Sequence, residues 1–234
     1  MRLVRGSIND VIRDRSVTNA LVDIASETGD PVVRVWTPPR QIAFGRRDTT
    51  TDGYARARSI AVERGYEPVE RDVGGSAVAY TGRTVAFAHA VPIDGGRNGI
   101  DRRYRETIDS LARALGDVGA TVSRGEPDRS FCPGDHSIQG SGKIAGIAQR
   151  VRKSSALVGG CVIARSSDRL SIANVLDPIY AELDIPFDSD SIGSVANAGG
   201  PDDERAVIDA LEDVLTAGGD SSVVSAVELA DGGP

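Results

Sequence analysis

Short extended runs follow one another along this chain, and amphipathic segments are inserted between them one at a time. Residues 32–36 and 41–45 flank the turn signal Thr37-Pro38-Pro39. Residues 144–151 and 156–164 flank a short polar segment that suits a hairpin turn. Strands in such an order pair mainly with their chain neighbours, whereas strict alternation with helices would give a parallel sheet. The sequence therefore predicts an α+β fold with a mixed, largely antiparallel sheet flanked by helices.

Four segments have the spacing of an amphipathic helix, in which apolar residues recur every three or four positions. They lie around residues 17–24, over 53–64, over 104–115, and from Pro201 onward. Residues 219–234 are small and polar, so we predict a tail without regular structure there. We find no internal repeat and no linker. We therefore expect a single domain over residues 1–218, large enough to be a catalytic domain.

Charge and hydropathy argue against several classes of function. The formal net charge of −7 opposes general binding to nucleic acid, which requires clustered Lys and Arg. No apolar run approaches the roughly 18 residues of a membrane span. The N-terminal segment carries charges where a signal peptide would be apolar. We expect a cytoplasmic protein that binds neither nucleic acid nor membrane.

The chain has two cysteines, Cys132 and Cys161, and two histidines, His89 and His136. In a cytoplasmic protein so few cysteines usually stay reduced. The spacings match no zinc motif, so no metal ligand is predicted.

Lysine is almost absent from this chain. Of its 27 basic residues only Lys143 and Lys153 are lysines, and all others are arginines. Arginine can supply surface charge equally well, but it cannot replace a compact point charge on a flexible stem. A lysine that persists in this background is a candidate functional residue.

Two glycine-containing segments are candidates for chemistry. Gly74 and Gly75 follow Arg71 in a turn before a predicted strand, where backbone amides could approach an anion. An ordinary turn between strands is the alternative. In the second segment, Gly142 precedes Lys143 at the mouth of an apolar run. A lysine placed there could stabilise negative charge in a transition state, or it could be a solvated loop residue.

The lysine segment does not match two familiar nucleotide motifs. A P-loop needs Ser or Thr after the lysine and a glycine five positions before the second one, but Ile144 and Ser137 stand there. Gly140, Gly142 and Gly146 approximate a dinucleotide fingerprint. That fingerprint follows an apolar strand and opens a helix, whereas the residues after Lys143 alternate like a strand.

Together the two segments resemble the lipoate–protein ligases and the related octanoyltransferases. ERDVGGSAV is similar to their Arg-Arg-x-Gly-Gly-Gly motif, and GSGKIAGIAQR is similar to their Gly-x-Lys-Ile-x-Gly-x-Ala-Gln motif. RVWTPPRQIAFGRRD and ALVGGCVIA resemble an early strand pair and the strand after the lysine hairpin. The resemblance runs in order from about residue 34 to residue 163.

The resemblance implies a class II aminoacyl-tRNA-synthetase/biotin-ligase-like domain that attaches a lipoyl or octanoyl group to one lysine of a carrier. The carrier would be the lipoyl domain of a 2-oxoacid dehydrogenase or the glycine-cleavage H protein. A ligase would use ATP and Mg²⁺ to form an acyl-adenylate, with lipoate or octanoate as substrate. Lys143 would contact the acyl carbonyl and the adenylate phosphate. The implied acyl-adenylate-binding residues are Arg71, Gly74, Gly75, Ser76, Ala77, Gly142, Ile144, Ala145, Gly146 and Ala148.

Several positions depart from the family pattern. The third glycine of the triplet is Ser76, the first residue of the basic pair is Glu70, and two expected histidines are Tyr80 and Gly159. We expect this chain to lack the accessory domain of many ATP-dependent members, so an accessory subunit is a further implied partner.

Cys132 offers a second chemical route. Octanoyltransferases of this superfamily hold the acyl group as a cysteine thioester, and Cys132 lies upstream of Lys143, broadly where one branch carries its cysteine. Nearby His136 could make the thiol more nucleophilic. A loop cysteine without a task is the alternative, and Cys161 is predicted to be a core residue. Two other readings stay open: a biotin ligase, and a non-catalytic acyl- or carrier-binding subunit of a split ligase.

Overall fold

The computed structural model describes residues 1–71, 74–94, 99–217 and 219–232. Asp72 and Val73 of the glycine-turn segment lie outside these ranges, as do Gly218 at the predicted domain boundary and the last two residues of the predicted tail. In chain order the elements are β1 (Arg2–Arg5), α1 (Val11–Thr28), β2 (Val32–Trp36), β3 (Gln41–Phe44), α2 (Tyr54–Glu63), β4 (Glu67–Glu70), β5 (Val78–Tyr80), β6 (Val85–Pro92), α3 (Ile100–Asp117), β7 (Ser123–Arg124), β8 (Ser137–Gly140), β9 (Gly142–Val151), β10 (Ser155–Val162), α4 (Ser166–Glu182), α5 (Glu204–Leu215), β11 (Ser222–Ser225) and α6 (Ala226–Ala230).

Eight strands form one large sheet in the order β11-β1-β2-β6-β10-β9-β8-β7. The pairs β11–β1 and β1–β2 are parallel, and the pairs from β2 onward are antiparallel. A second sheet has the order β4-β3-β5, with one parallel and one antiparallel pair. The prediction of an α+β fold with a mixed, largely antiparallel sheet is confirmed.

The two faces of the large sheet carry side chains of different size. On one face Phe87, Val85 and Val162 pack against α3 and α5 in an apolar core. On the other face the register places Cys161 between Ala86 and Gly146, and the next row along the strands contains Ala88, Gly159 and Ala148. Because strand residues alternate between faces, these small side chains form a shallow trough across β6, β10 and β9.

A buried ion pair fixes α1 against β2 at the edge of this trough. The Arg34 guanidinium lies 2.5 Å from the Asp14 carboxylate, and both side chains are almost fully buried. Asp14 also accepts a hydrogen bond from the indole nitrogen of Trp36 at 2.9 Å. Burial lowers the pKa of Arg34, and the Asp14 charge opposes that shift. The pair therefore holds Trp36 in place beside the trough.

The second sheet packs with α2 and α4 in a separate apolar core. The sequence prediction missed α4, although Ile172, Val175, Leu176 and Ile179 bury one stripe of it. Pro178 within the helix and the polar residues at its start weaken the helical pattern, so the apolar stripe was not recognised in the sequence. The four helices that the sequence did predict correspond to α1, α2, α3 and α5, and they are found within a few residues of their expected bounds.

The predicted unstructured tail is wrong for residues 222–230. Ser222–Ser225 forms β11, which pairs in parallel with β1 at the edge of the large sheet. α6 follows, and its Ala226 is fully buried against the core of α1 and β2. Four strand residues contain too little apolar periodicity to be recognised alone, and the edge of β1 supplies the missing hydrogen-bond partners. None of the helices in the described ranges is long and apolar enough to cross a membrane.

Candidate active site

A cavity of about 470 Å³ lies over the trough of the large sheet. Its floor is formed by small residues of β6, β9 and β10, and α1 and the second sheet form its walls. Apolar side chains such as Ala88, Leu157 and Val78 line much of it, with Lys143 and Cys132 in the same lining. A concave, mainly apolar cavity with a few polar groups has the properties of a small-molecule site.

The Lys143 side chain is buried, with 1% of its surface exposed. Its ammonium donates to the Glu126 carboxylate at 2.8 Å and to the carbonyl oxygens of Phe131 and Cys132, each at 2.9 Å. The stem of Lys143 passes close to Gly146, where an added Cβ would lie 3.3 Å from Cε. Lys143 thus anchors the loop that contains Cys132, and Gly146 leaves room for it to do so.

Cys132 lies in that loop with a left-handed backbone, at φ 42°. Its N–H donates to the Tyr180 hydroxyl at 2.7 Å, and that hydroxyl donates to the Ala77 carbonyl at 2.7 Å. Burial raises the pKa of Tyr180, so this phenol stays protonated and able to donate. A residue in this conformation costs about 1–3 kcal/mol and persists where its surroundings enforce it. Hydrogen bonds to the N–H and to the carbonyl oxygen of Cys132 therefore hold this residue in place.

The Arg71 guanidinium is the cation nearest to the Cys132 thiol among the contacts described. Its Nη2 lies 3.2 Å from Sγ and donates to the Ser76 carbonyl at 2.7 Å. A neighbouring cation favours the thiolate, which is the nucleophilic form of cysteine. The His136 ring, to which the sequence analysis gave the activating role, stacks on Tyr104 with centroids 3.6 Å apart. Among the described contacts it is Arg71 that touches the Cys132 sulfur.

Gly75 brings the glycine turn against the thiol. It has φ +87°, and an added Cβ would lie 2.6 Å from the Sγ of Cys132. The turn is supported from behind by Gly45, where a Cβ would lie 1.8 Å from the Gly75 carbonyl oxygen. Only glycine is compatible with this approach at both positions. The two predicted motifs are thus brought together around Cys132.

The cavity lining includes some of the predicted binding residues and leaves others out. Arg71, Gly74, Gly75, Gly146 and Ala148 line it together with Lys143 and Cys132. The Ile144 and Ala145 side chains instead pack in the core, and Gly142 lies against the backbone of residues 191–193. Ser76 and Ala77 contribute carbonyl oxygens, to Arg71 and Tyr180 respectively. These five residues shape the site from behind its surface.

The structure adds residues that the sequence prediction missed or placed elsewhere. Cys161 was predicted to be a core residue, and it is buried but also lines the cavity. Burial raises its pKa to about 11, so it stays a neutral thiol at physiological pH. Tyr80 and Gly159, which stand in place of family histidines, also line the cavity. The partner of Lys143, Glu126, lies in a polar stretch without any motif and had no signal in a single sequence.

Comparison with known proteins identifies the family of this chain. Residues 15–184 match the family model described as the lipoyl protein ligase A/B catalytic domain. This chain belongs to that family, which confirms the resemblance seen in its motifs.

Curated relatives in this comparison are named octanoyl-[GcvH]:protein N-octanoyltransferase. The protein from Geobacillus kaustophilus (strain HTA426) is 29% identical over 147 residues, covering 62% of this chain and 52% of the relative. The protein from Oceanobacillus iheyensis is 27% identical over 150 residues, covering 63% of this chain and 53% of the relative. The chain spans about half the length of the curated relatives it matches.

Solved structures share the fold over nearly the whole chain. A lipoate-protein ligase A bound with ATP superposes with a TM-score of 0.72 at 19% identity, covering 98% of this chain and 94% of the other. A bipartite lipoate protein ligase from Thermoplasma acidophilum, described with its E2 lipoyl domain, gives a TM-score of 0.68 at 18% identity. It covers 98% of this chain and 91% of the other.

Proposed function

We propose that this protein transfers an octanoyl or lipoyl group to a lysine of a carrier domain through a thioester on Cys132. The observation that carries the proposal is the position of Cys132, which lines a mainly apolar cavity and has its thiol sulfur 3.2 Å from the Arg71 guanidinium. The carrier would be a lipoyl domain or a glycine-cleavage H protein, in keeping with the name of the curated relatives.

In the first step the Cys132 sulfur attacks the acyl carbonyl of the donor, either an octanoyl-lysine amide or a carrier thioester. The S–C bond forms, the bond from the carbonyl to the donor nitrogen or sulfur breaks, and the thiol proton ends on the leaving group. Arg71 stabilises the attacking thiolate. Lys143 holds the carbonyl oxygens of Phe131 and Cys132 and so fixes the loop that presents the sulfur to the acyl carbonyl.

In the second step the amine of the acceptor lysine attacks the Cys132 thioester. The N–C bond forms, the C–S bond breaks, and the proton lost by the amine returns to the thiolate. The acyl chain stays in the trough of Ala86, Ala88 and Ala148 throughout.

A second candidate is an ATP-dependent ligase that forms an acyl-adenylate with Mg²⁺. The glycine turn favours it, because Gly74 and Gly75 line the cavity beside Arg71 and could accept a phosphate there. In that route Lys143 would bind the carboxyl end of lipoate or octanoate, and Cys132 would have no covalent task.

One set of reactions separates these candidates. Acceptor mass is followed with octanoyl-H protein as donor, and separately with octanoate, ATP and Mg²⁺, using wild type, Cys132→Ser and Lys143→Ala. We expect transfer from octanoyl-H protein without ATP, abolished in Cys132→Ser and reduced about 100-fold in Lys143→Ala, because the loop that holds the sulfur loses its anchor. Transfer that needs ATP and survives in Cys132→Ser would favour the ligase. Binding of octanoate or carrier without turnover in any reaction would point to a non-catalytic subunit, and activity with biotin in place of octanoate to a biotin ligase.

A further inference from the structure

All three protons of the Lys143 ammonium are engaged within the protein. Two go to carbonyl oxygens of the Cys132 loop and the third to the Glu126 carboxylate at 2.8 Å. A lysine ammonium has three donors and no more. A ligand that reaches Lys143 through the cavity therefore finds no ammonium proton that is not already in a hydrogen bond.

Glu126 is built into the protein behind Lys143. The Ser130 hydroxyl donates to the same carboxylate oxygen, Oε1, that accepts from Lys143. The second oxygen, Oε2, is buried and has no hydrogen-bond partner among the described residues. Only 21% of the Glu126 side chain is exposed, and Glu126 is not part of the cavity lining. Its carboxylate thus lies beside Lys143 and outside the cavity lining.

The second cation at the reacting end already has partners as well. Arg71 donates to the Ser76 carbonyl and to the Cys132 sulfur. With Glu126 beside it, the Lys143 ammonium brings no net charge to the reacting end of the cavity. A bound carboxylate therefore gains little attraction from Lys143, and it must lose part of its hydration to enter. A neutral thioester or amide carbonyl carries no charge to be desolvated.

We infer that Glu126 is a specificity-determining residue that neutralises Lys143 and so selects acyl groups with an uncharged carbonyl over free fatty acids. This inference rests on the proposed transfer function, because a transferase receives its acyl group already activated. A ligase must instead bind the free carboxylate. During attack the negative charge of the sulfur passes to the carbonyl oxygen, so the transition state brings no additional charge into the site, whereas a free carboxylate does.

Calorimetric titration with octanoate and octanamide tests the inference, using wild type, Glu126→Gln and Asp128→Asn. Glutamine keeps an oxygen that can accept from Lys143 but removes the charge. Asp128 is exposed on the same loop, so its variant controls for loss of one negative charge nearby. We expect octanoate to bind Glu126→Gln about tenfold more tightly than wild type, with octanamide unchanged and Asp128→Asn like wild type. Equal octanoate affinities in Glu126→Gln and wild type, or an equal gain for octanamide, would overturn the inference.

The wild-type protein provides a second measurement should Glu126→Gln fail to fold. We expect octanamide to bind wild type at least as tightly as octanoate at neutral pH. Octanoate binding tenfold more tightly than octanamide would contradict the neutralisation of Lys143 by Glu126. Neither titration depends on turnover. If the protein shows the expected affinity ratio but no transfer activity, the result contradicts the proposed function and still supports the role of Glu126.

Discussion

Gly75 lies so close to the Cys132 sulfur that even a methyl group would displace it. An added Cβ would lie 2.6 Å from Sγ, in a backbone conformation that other residues rarely adopt. We expect Gly75→Ala to lower the rate of acyl transfer about a hundredfold, because the thiol must move by about an ångström. Gly74→Ala is the matched control, since a Cβ there meets no described atom within 4 Å. Similar rates for the two variants would show that the close approach does not matter.

The two cysteines differ in their burial and in the groups around them. Burial raises the pKa of Cys161 to about 11, so at pH 8 only a small fraction of it is thiolate. Cys132 is half-buried and lies beside Arg71. We expect iodoacetamide at pH 8 to label Cys132 and leave Cys161 unmodified, as read by peptide mass spectrometry.

The Cys132→Ser variant is the control for that labelling, and it should remain unmodified at the same pH. Labelling of Cys161 should appear only as the pH rises toward the pKa of that thiol. Equal labelling of both cysteines at pH 8 would contradict the assignment of distinct environments.

Single residues were predictable from the sequence where their chemistry is rare in this chain. Lys143 is one of two lysines, and the glycines around it form a recognisable motif, so both were found. Glu126 was not found, because it is one of 34 acidic residues and only the fold brings it to Lys143. Arg71 was placed in the site, but its contact with Cys132 depends on the loop conformation. That contact has no signature in sequence.

At the level of elements, the trough across β6, β10 and β9 sets the room for the acyl chain. Ala148 lies in its second row, beside Gly159. We expect Ala148→Leu to fill that row and lower octanoyl transfer roughly 10–200-fold, the range that pocket methylenes produce. Butyryl transfer should fall much less, because a shorter chain ends before this row. The ratio of rates for the two donors is the measurement, and an unchanged ratio would place the acyl chain elsewhere.

The elements that form this trough were also the ones most visible in the sequence. The two apolar runs of β9 and β10 and the hairpin between them were predicted within about two residues. α4 was missed, because a proline interrupts its pattern. The pairing of β6 with β10, and hence the trough itself, could not be deduced. Strand partners distant in the chain are fixed by packing and not by local pattern.

For the whole molecule, the C-terminal segment closes one edge of the large sheet. β11 pairs with β1, and α6 buries Ala226 against α1. We expect a chain that ends at residue 219 to lose about 2 kcal/mol of stability. That loss lowers the melting midpoint by about 4–8 °C for a chain of this size. A chain that ends at residue 232 keeps both elements and is the control, and equal midpoints would contradict a structural role for the segment.

The central claim is that Cys132 receives the acyl group, and direct observation of the acylated protein tests it best. Wild type and Cys132→Ser are mixed with excess octanoyl-H protein without acceptor or ATP, quenched in acid and analysed by intact and peptide mass spectrometry. The account predicts one octanoyl group on the peptide that contains Cys132 in wild type, removed when apo lipoyl domain is added, and none in the variant. Octanoyl transfer to the acceptor by Cys132→Ser, with no acylated wild-type protein at any time, would contradict it.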